Sequence, residues 1–263
     1  MFKREFKINF KGLVIWSFIL VGLYALIFAI YPSLINEETK QSLTIMMESM
    51  PQELLSTFNM DIVGIESAFG WFRTEGFVFL TLLGGIYSAI LGSTILLKEE
   101  SDKTIEFLYA KPVSKRKIVT SKILCGIVNL FIFVSIITIA NLIGLHGVED
   151  FDIKQFLMIS ILPILLYTML FFICLFISTF LNKTKKAMTL GIGIVFLSYF
   201  MQIIGGMGES IEIIKKASLF EFVSSRYIVL NNAVNMNYVW IGIAIIILCL
   251  IGIYYRYEHK EFK

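Results

Sequence analysis

The sequence predicts an all-α polytopic membrane protein with six transmembrane helices. Of its 263 residues, 57% are hydrophobic and only 16% are charged, and the mean hydropathy is +0.80, which is more apolar than a soluble core requires. Six apolar stretches are long enough, at about 1.5 Å of rise per residue, to cross a hydrocarbon layer of roughly 30 Å. Basic residues are concentrated in alternate connections, as they are in multi-pass proteins.

We treat the whole chain, residues 1–263, as one transmembrane domain. The predicted spans cover residues 12–31, 76–97, 118–145, 156–181, 187–207 and 238–255. The other predicted segments are an interfacial helix (1–11), an extracellular segment (32–75), a charged cytoplasmic connection (98–117), a second extracellular segment (208–237) and a cytoplasmic tail (256–263).

The distribution of charge predicts the orientation, because Lys and Arg are retained on the cytoplasmic side of short loops. The predicted cytoplasmic segments, with the charged connection counted as far as Lys122, hold 17 of the 23 basic residues, and the predicted outer segments hold 13 of the 20 acidic ones. Both termini are therefore expected in the cytoplasm of a multi-pass protein of the bacterial plasma membrane, with membrane lipid as a partner.

The first residues predict an amphipathic helix at the membrane surface. Phe2, Phe6 and Phe10 recur at helical spacing, with lysines on the neighbouring strip, which is typical of an interfacial helix. An anchor that only supplies positive charge inside is the alternative.

The first outer segment is too long for a bare loop, so we expect it to be helical. Apolar residues from Leu43 to Met50 recur with helical spacing, and Pro51 restarts the chain, which predicts two short amphipathic helices. Such a segment could cap a dimer, form an exit vestibule, or pack on the outer ends of the spans. A smaller element of the same kind is expected at residues 211–229.

Small residues in the second span predict close helix packing. Gly84, Ser88 and Gly92 form one small-xxx-small track, within one subunit or between two. Polar residues deep in the spans are expected to find interhelical hydrogen bonds or a water-lined cavity; these are Asn129, Asn141, Gln202 and Thr168.

Several classes of function find no support in the sequence. No Gly-Lys dipeptide occurs, so the phosphate-binding GxxxxGK[ST] loop is missing. Two histidines and three dispersed cysteines give no catalytic triad, metalloprotease motif or metal-ligand spacing. We predict no catalytic residue, metal or cofactor on this chain, and no nucleic-acid partner.

The charged connection is the most informative segment. Acidic residues precede an apolar set that includes Phe107 and Leu108, and basic residues follow Pro112. This order predicts a short helix broken at Pro112, with acids and bases arranged to suit the helix dipole. It could present an apolar knob with a charged rim to a partner; a solvated charged loop is the alternative.

The same connection resembles that of permease subunits of the ABC-2 type, the membrane partners of ATP-binding-cassette ATPases. The matching positions are Glu99 or Glu100, Thr104, Glu106, Phe107, Leu108, Pro112, Ser114, Arg116, Ile118 and Lys122. Lys103 stands where that family often has glycine. The six-span plan and the MPQELLSTF stretch are also similar, most of all to small bacterial permeases of peptide or drug export and resistance.

The resemblance implies a dimer of two identical or paralogous permeases with two ABC ATPases, on which ATP and Mg²⁺ would bind. The connection would be a coupling helix held in a groove of the ATPase. Its contact residues would be Glu99, Glu100, Thr104, Glu106, Phe107, Leu108, Pro112, Ser114 and Arg116.

Three functions remain open at this stage. The first is the permease of an ABC exporter for amphipathic or hydrophobic cargo, such as a peptide toxin, an antimicrobial peptide or a drug. The second is a non-transporting sensor or immunity subunit that signals through an ATPase. A secondary transporter is disfavoured, because no acidic or basic residue lies at mid-bilayer to bind a coupling ion. The sequence does not indicate the substrate-binding residues.

Overall fold

The computed structural model describes residues 2–34, 37–50, 67–104, 114–148, 151–208 and 211–260. Within these ranges the regular structure is entirely helical, and six helices are long and apolar enough to cross a membrane. This confirms the predicted fold class of an all-α protein with six transmembrane helices.

We number the helices in chain order. They are α1 (Phe2–Leu34), α2 (Glu37–Glu48), α3 (Ala68–Ile95), α4 (Lys98–Ser101), α5 (Lys115–Gly144), α6 (Ile153–Ile161), α7 (Pro163–Ser178), α8 (Thr184–Gly205), α9 (Glu212–Ala217), α10 (Ser225–Asn231) and α11 (Met236–Glu258). The six apolar helices are α1, α3, α5, the pair α6 and α7, α8, and α11.

Helix α1 continues without interruption through the predicted junction between the interfacial helix and the first span. The junction residue Gly12 lies within regular helix, and a side chain added there would meet no neighbour within 4 Å. At about 1.5 Å per residue, a helix of 33 residues is about 50 Å long. It therefore exceeds a hydrocarbon layer of roughly 30 Å, and its interfacial placement stays a prediction.

Helix α3 begins with a regular turn capped by Ser67, whose hydroxyl accepts from the Gly70 N–H at 3.0 Å. A π-helical turn, Phe72–Gly76, follows, and such turns take carbonyl groups off the regular hydrogen-bond ladder. The Tyr24 hydroxyl of α1 donates to the Gly76 carbonyl oxygen at 2.6 Å. This hydrogen bond joins the first two spans where the backbone is irregular.

Two helices form the fourth span. Helix α6 ends at Ile161 and α7 begins with Pro163, a residue that suits the first position of a helix because its missing N–H needs no partner there. Helix α7 is the most buried element, and it packs on α3, α8 and α11. Its Tyr167 hydroxyl donates to the Leu80 carbonyl oxygen of α3 at 2.7 Å.

The expected interhelical hydrogen bond of Thr168 is wrong. Its hydroxyl donates to the Ile164 carbonyl oxygen of its own helix at 2.8 Å, because a threonine hydroxyl can reach the carbonyl one turn earlier. Asn129 also donates within its helix, to the Cys125 carbonyl oxygen at 2.8 Å.

The segments predicted to lie outside the membrane are partly described. Helix α2 covers the first predicted amphipathic helix, with Met47 buried and Met46 exposed; the second, after Pro51, lies outside the described residues. The element predicted at 211–229 consists of α9, a 3₁₀ turn (Leu219–Val223) and α10. It joins α8 through the Ser218 hydroxyl, which donates to the Ser198 carbonyl oxygen at 2.7 Å.

Candidate functional site

The structure describes both ends of the charged connection. Four predicted contact residues, Glu106, Phe107, Leu108 and Pro112, lie outside the described residues. Glu99, Glu100, Thr104, Ser114 and Arg116 are described, so the site is built from them and from the side chains that they contact.

The first end is a single helical turn, α4, that closes in a Schellman motif. The Thr104 N–H donates to the Glu99 carbonyl oxygen at 2.8 Å, and the Lys103 N–H donates to the Glu100 carbonyl oxygen at 3.2 Å. This pattern requires a left-handed residue after the helix, and Lys103 takes that conformation with φ of +56°. The position where similar permeases often have glycine is thus the one whose backbone favours glycine.

Glu99 enters a buried ion-pair network with Lys122 of α5 and Glu5 of α1. The Lys122 Nζ lies 2.7 Å from Glu99 Oε2 and 3.2 Å from Glu5 Oε2. Their exposed fractions are 1% for Lys122, 3% for Glu5 and 4% for Glu99. Lys122 also donates to the Ile95 carbonyl oxygen at 2.6 Å, so its three donors reach α1, α3 and α4.

This network holds two carboxylates and one ammonium group. Its partners therefore depend on one another, because an isolated ion buried away from water is far more costly than a paired one. Glu5 Oε1 is buried without a hydrogen-bond partner among the described residues. The network fixes these ends of three helices relative to each other.

Glu100, the neighbouring acid, points to a different partner. Its Oε2 lies 2.7 Å from the Lys260 Nζ beyond the end of α11, and Lys260 also donates to the Leu181 carbonyl oxygen at 3.0 Å. The Asn182 amide, in the orientation that satisfies its neighbours, donates to Glu100 Oε1 at 3.2 Å. Glu100 thereby joins the connection to α11 and to the loop between α7 and α8.

The second end of the connection is the start of α5. The Ser114 hydroxyl accepts from the Lys117 N–H at 3.4 Å and caps the helix. Arg116 pairs with Glu258 of α11 at 3.0 Å, with exposed fractions of 71% and 45% for the two side chains. An exposed pair of this kind is screened by solvent and contributes little to stability. Lys115 donates to the Lys260 carbonyl oxygen at 3.0 Å.

The two described ends of the connection thus converge on the same helices. Glu99 contacts Lys122 of α5 and through it reaches Glu5 of α1, while Glu100 and Arg116 both contact the end of α11. In the described part of the chain, no group of three His, Cys, Asp or Glu side chains is placed to hold a metal ion. The arrangement can transmit a displacement of the connection to α1, α5 and α11.

Sequence reasoning missed most of these partners. The sequence indicates Glu5, Glu258 and Lys260 only as charges near the chain termini. It indicates Lys122 only as a position that matches the charged connection of ABC-2 permeases. The available signal was Lys122 itself, which lies inside a predicted span, where a charged side chain requires a partner.

The predicted packing residues of the second span face α7. A Cβ built on Gly84 would overlap the Tyr167 ring, and one on Gly92 would overlap the Phe171 carbonyl oxygen. Ser88 is fully buried and donates to the Gly85 carbonyl oxygen at 2.9 Å. The small side chains therefore allow α3 and α7 to approach closely within this subunit.

Comparison with known proteins identifies the family of this chain. No curated protein and no solved structure matches this chain. A family model described as ABC-2 family transporter protein matches residues 2–262, nearly the whole chain. In that family the membrane subunit is generally non-catalytic and associates with an ABC ATPase. The chain therefore belongs to the ABC-2 family, as a multi-pass permease subunit of an ABC transporter.

Proposed function

We propose that this permease exports amphipathic or hydrophobic cargo, such as a peptide toxin, an antimicrobial peptide or a drug, by alternating access. A separate ATPase binds ATP and Mg²⁺ and drives the cycle. The permease acts as a dimer with a second copy or a paralogue, in the bacterial plasma membrane, with both termini in the cytoplasm.

One observation supports coupling through the charged connection. Its two described ends are fixed by ion pairs to α1, α5 and α11, at Glu99, Glu100 and Arg116. A partner that moves the connection must therefore either move these helices or separate buried charges, and separating buried charges is the costlier outcome. Movement of the connection is thus converted into movement of the spans.

The proposed cargo class follows from the character of the described spans. Their buried charges, Glu5, Glu99 and Lys122, lie together at one end. The central turns of the six apolar helices are lined by aliphatic, aromatic and small polar side chains. Such surfaces suit an apolar or amphipathic molecule better than a small ion, which would need charged or carbonyl ligands.

The test is co-purification of this chain with its cognate ATPase, together with ATP turnover and cargo flux after reconstitution. The double variant Phe107→Ala with Leu108→Ala removes the proposed knob, and truncating such a contact commonly costs about 2 kcal/mol or more of binding free energy. We expect loss of the complex and of stimulated ATP turnover. The matched control is Ile213→Ala with Leu230→Ala, which truncates two exposed apolar side chains at the opposite end.

Each outcome separates the functions. If the double variant still forms the complex, Phe107 and Leu108 are not the proposed contact with the ATPase. A complex that turns over ATP without cargo flux would favour the sensor or immunity subunit over the exporter.

A further inference from the structure

An open cavity of about 350 Å³ lies at the charged end of the molecule, between the loop after α7 and the end of α11. Its volume is within the usual range of ligand pockets, about 300 to 1,000 Å³. Apart from the Glu100–Lys260 ion pair, the cavity is lined by Thr179, Phe180, Asn182, Arg256 and His259.

Close packing of α7 and α11 positions the main cation of this cavity. A Cβ built on Gly252 would approach the Phe176 ring at 2.6 Å, so glycine allows the two helices to meet there. One turn later on each helix, the Arg256 guanidinium lies over the Phe180 ring, 5.2 Å from its centroid. This cation–π contact holds the guanidinium at the cavity while leaving its N–H groups available.

The lining leaves one positive charge uncompensated. Lys260 and Glu100 pair with each other at 2.7 Å and neutralise one another. Arg256 has no acidic partner among the described side chains. His259 hydrogen-bonds the Tyr255 carbonyl oxygen through Nδ1 at 2.8 Å, and its other ring nitrogen stays available. The cavity therefore presents a guanidinium fork, the geometry that favours planar or tetrahedral oxyanions.

The cavity also continues into a surface that suits acyl chains. Leu248, Ile251 and Tyr255 are highly exposed and lie on one face of α11, because they are three and four residues apart. His259 is next on that face and lines the cavity. A lipid whose chains lie along these side chains would have its headgroup at the cavity, at the level marked by Tyr254, Tyr255 and Tyr257.

We propose that this cavity binds the phosphodiester headgroup of an anionic membrane lipid such as phosphatidylglycerol. Arg256 is the principal phosphate ligand. The site adjoins the Glu100–Lys260 pair. A bound headgroup therefore affects the ion pair at the first end of the charged connection. The proposal rests on the cavity and its charges, and it stands whether or not the chain is an exporter.

Native mass spectrometry of the full-length chain, purified in mild detergent, tests the proposal. Phosphatidylglycerol and phosphatidylcholine of matched acyl chains are added in turn, and the lipid retained per chain is counted. We expect preferential retention of phosphatidylglycerol. Arg256→Gln should weaken that retention about fivefold, the equivalent of about 1 kcal/mol for one cationic contact with an anionic lipid, and Arg256→Lys should restore part of it.

Arg4→Gln is the matched control, because it removes an exposed arginine from the same predicted face of the membrane, away from the cavity. Retention unchanged in Arg256→Gln would overturn the proposal, as would equal losses in both glutamine variants, which would indicate general surface charge. Release of the lipid by inorganic phosphate at modest concentration would show a site for free anions instead. Loss confined to Arg256→Gln supports the lipid site.

Discussion

The two ends of the helical bundle are held together by different kinds of contact. At the charged end, which contains the Lys122 network and the Glu100–Lys260 pair, helices meet through ion pairs. At the other end, which we call the aromatic end, rings from α1, α3, α6 and the loop before α6 pack on one another with centroids 5.2 to 6.5 Å apart. Those rings are Tyr24, Phe28, Phe69, Trp71, Phe72, Phe151 and Phe156.

Because their contacts differ, the two ends respond differently to amino-acid substitution. Aromatic packing has broad geometric minima and tolerates replacement by other apolar groups. A buried ion pair has specific partners and fails as a unit when one is removed. In the segment between α8 and α11 the ion pairs are more exposed or longer. Lys216 lies 3.1 Å from Glu212 on the surface. Glu221 lies 3.8 Å from Lys215; burial raises the pKa of Glu221, and Lys215 opposes that shift. The charged end is thus suited to specifying helix positions, and the aromatic end to supplying cohesion.

The largest effect is expected from Lys122→Met. Two buried carboxylates would lose their shared cation, which should lower the free energy of unfolding by about 3–5 kcal/mol. Unfolding of the purified protein in mixed micelles measures it. Glu5→Gln is the control, because it keeps the Glu99–Lys122 pair and should cost about 1 kcal/mol or less. Equal losses in the two variants would mean that the Glu5 contact matters as much as the Glu99–Lys122 pair, and would contradict the assignment of the Glu99–Lys122 pair as the main contact at this end.

A smaller loss is expected midway between the ends. Gly92→Ala would force α3 away from the Phe171 carbonyl oxygen of α7, a backbone atom that cannot move aside, at a cost of about 1–3 kcal/mol. Gly193→Ala adds the same methyl group to α8, where no atom lies within 4 Å, and should be neutral. Thermal unfolding of both variants in one detergent makes the comparison. A neutral Gly92→Ala would show that the ends are not positioned by this contact.

At the aromatic end we expect tolerance. Phe72→Leu keeps an apolar side chain at a fully buried position and should cost about 1 kcal/mol. Lys122→Arg, the equally conservative change at the charged end, should cost more, because the larger guanidinium must fit a fully packed pocket. The free energies of unfolding of the two variants are measured in parallel. A greater loss for Phe72→Leu than for Lys122→Arg would reverse the proposed contrast between the ends.

The smallest effect is a gain. Lys103→Gly should stabilise the protein by up to about 1 kcal/mol, because Lys103 holds a left-handed backbone conformation with φ of +56°. Asp102→Gly, one residue earlier with φ of −85°, has no such strain to relieve and should be neutral or destabilising. Differential scanning fluorimetry resolves the two variants. Destabilisation by Lys103→Gly would place the strain elsewhere in the turn.

Periodicity and charge predicted the fold well because each transmembrane span is determined by residues that are close together in the sequence. The six apolar stretches and the small-residue face of α3 are both evident from neighbouring residues. The ion pairs are not. Glu5 and Lys122 are 117 residues apart, and nothing in the spacing of either residue indicates the other. Helix packing decides which of many terminal charges becomes the partner, so the candidate site was predicted by segment but not by contact.

Continuity of α1 has a mechanical consequence. A helix of 33 residues without a proline until its last turn is a stiff rod about 50 Å long, with Glu5 near one end and the Tyr24 hydrogen bond to Gly76 towards the other. A shift of about 2 Å at Glu5, about 28 Å from Tyr24 along the helix, would tilt α1 by roughly 4° about the Tyr24 contact. A small displacement at the charged end would thus be transmitted along α1 to the opposite membrane surface, with no residue of the helix changing its conformation.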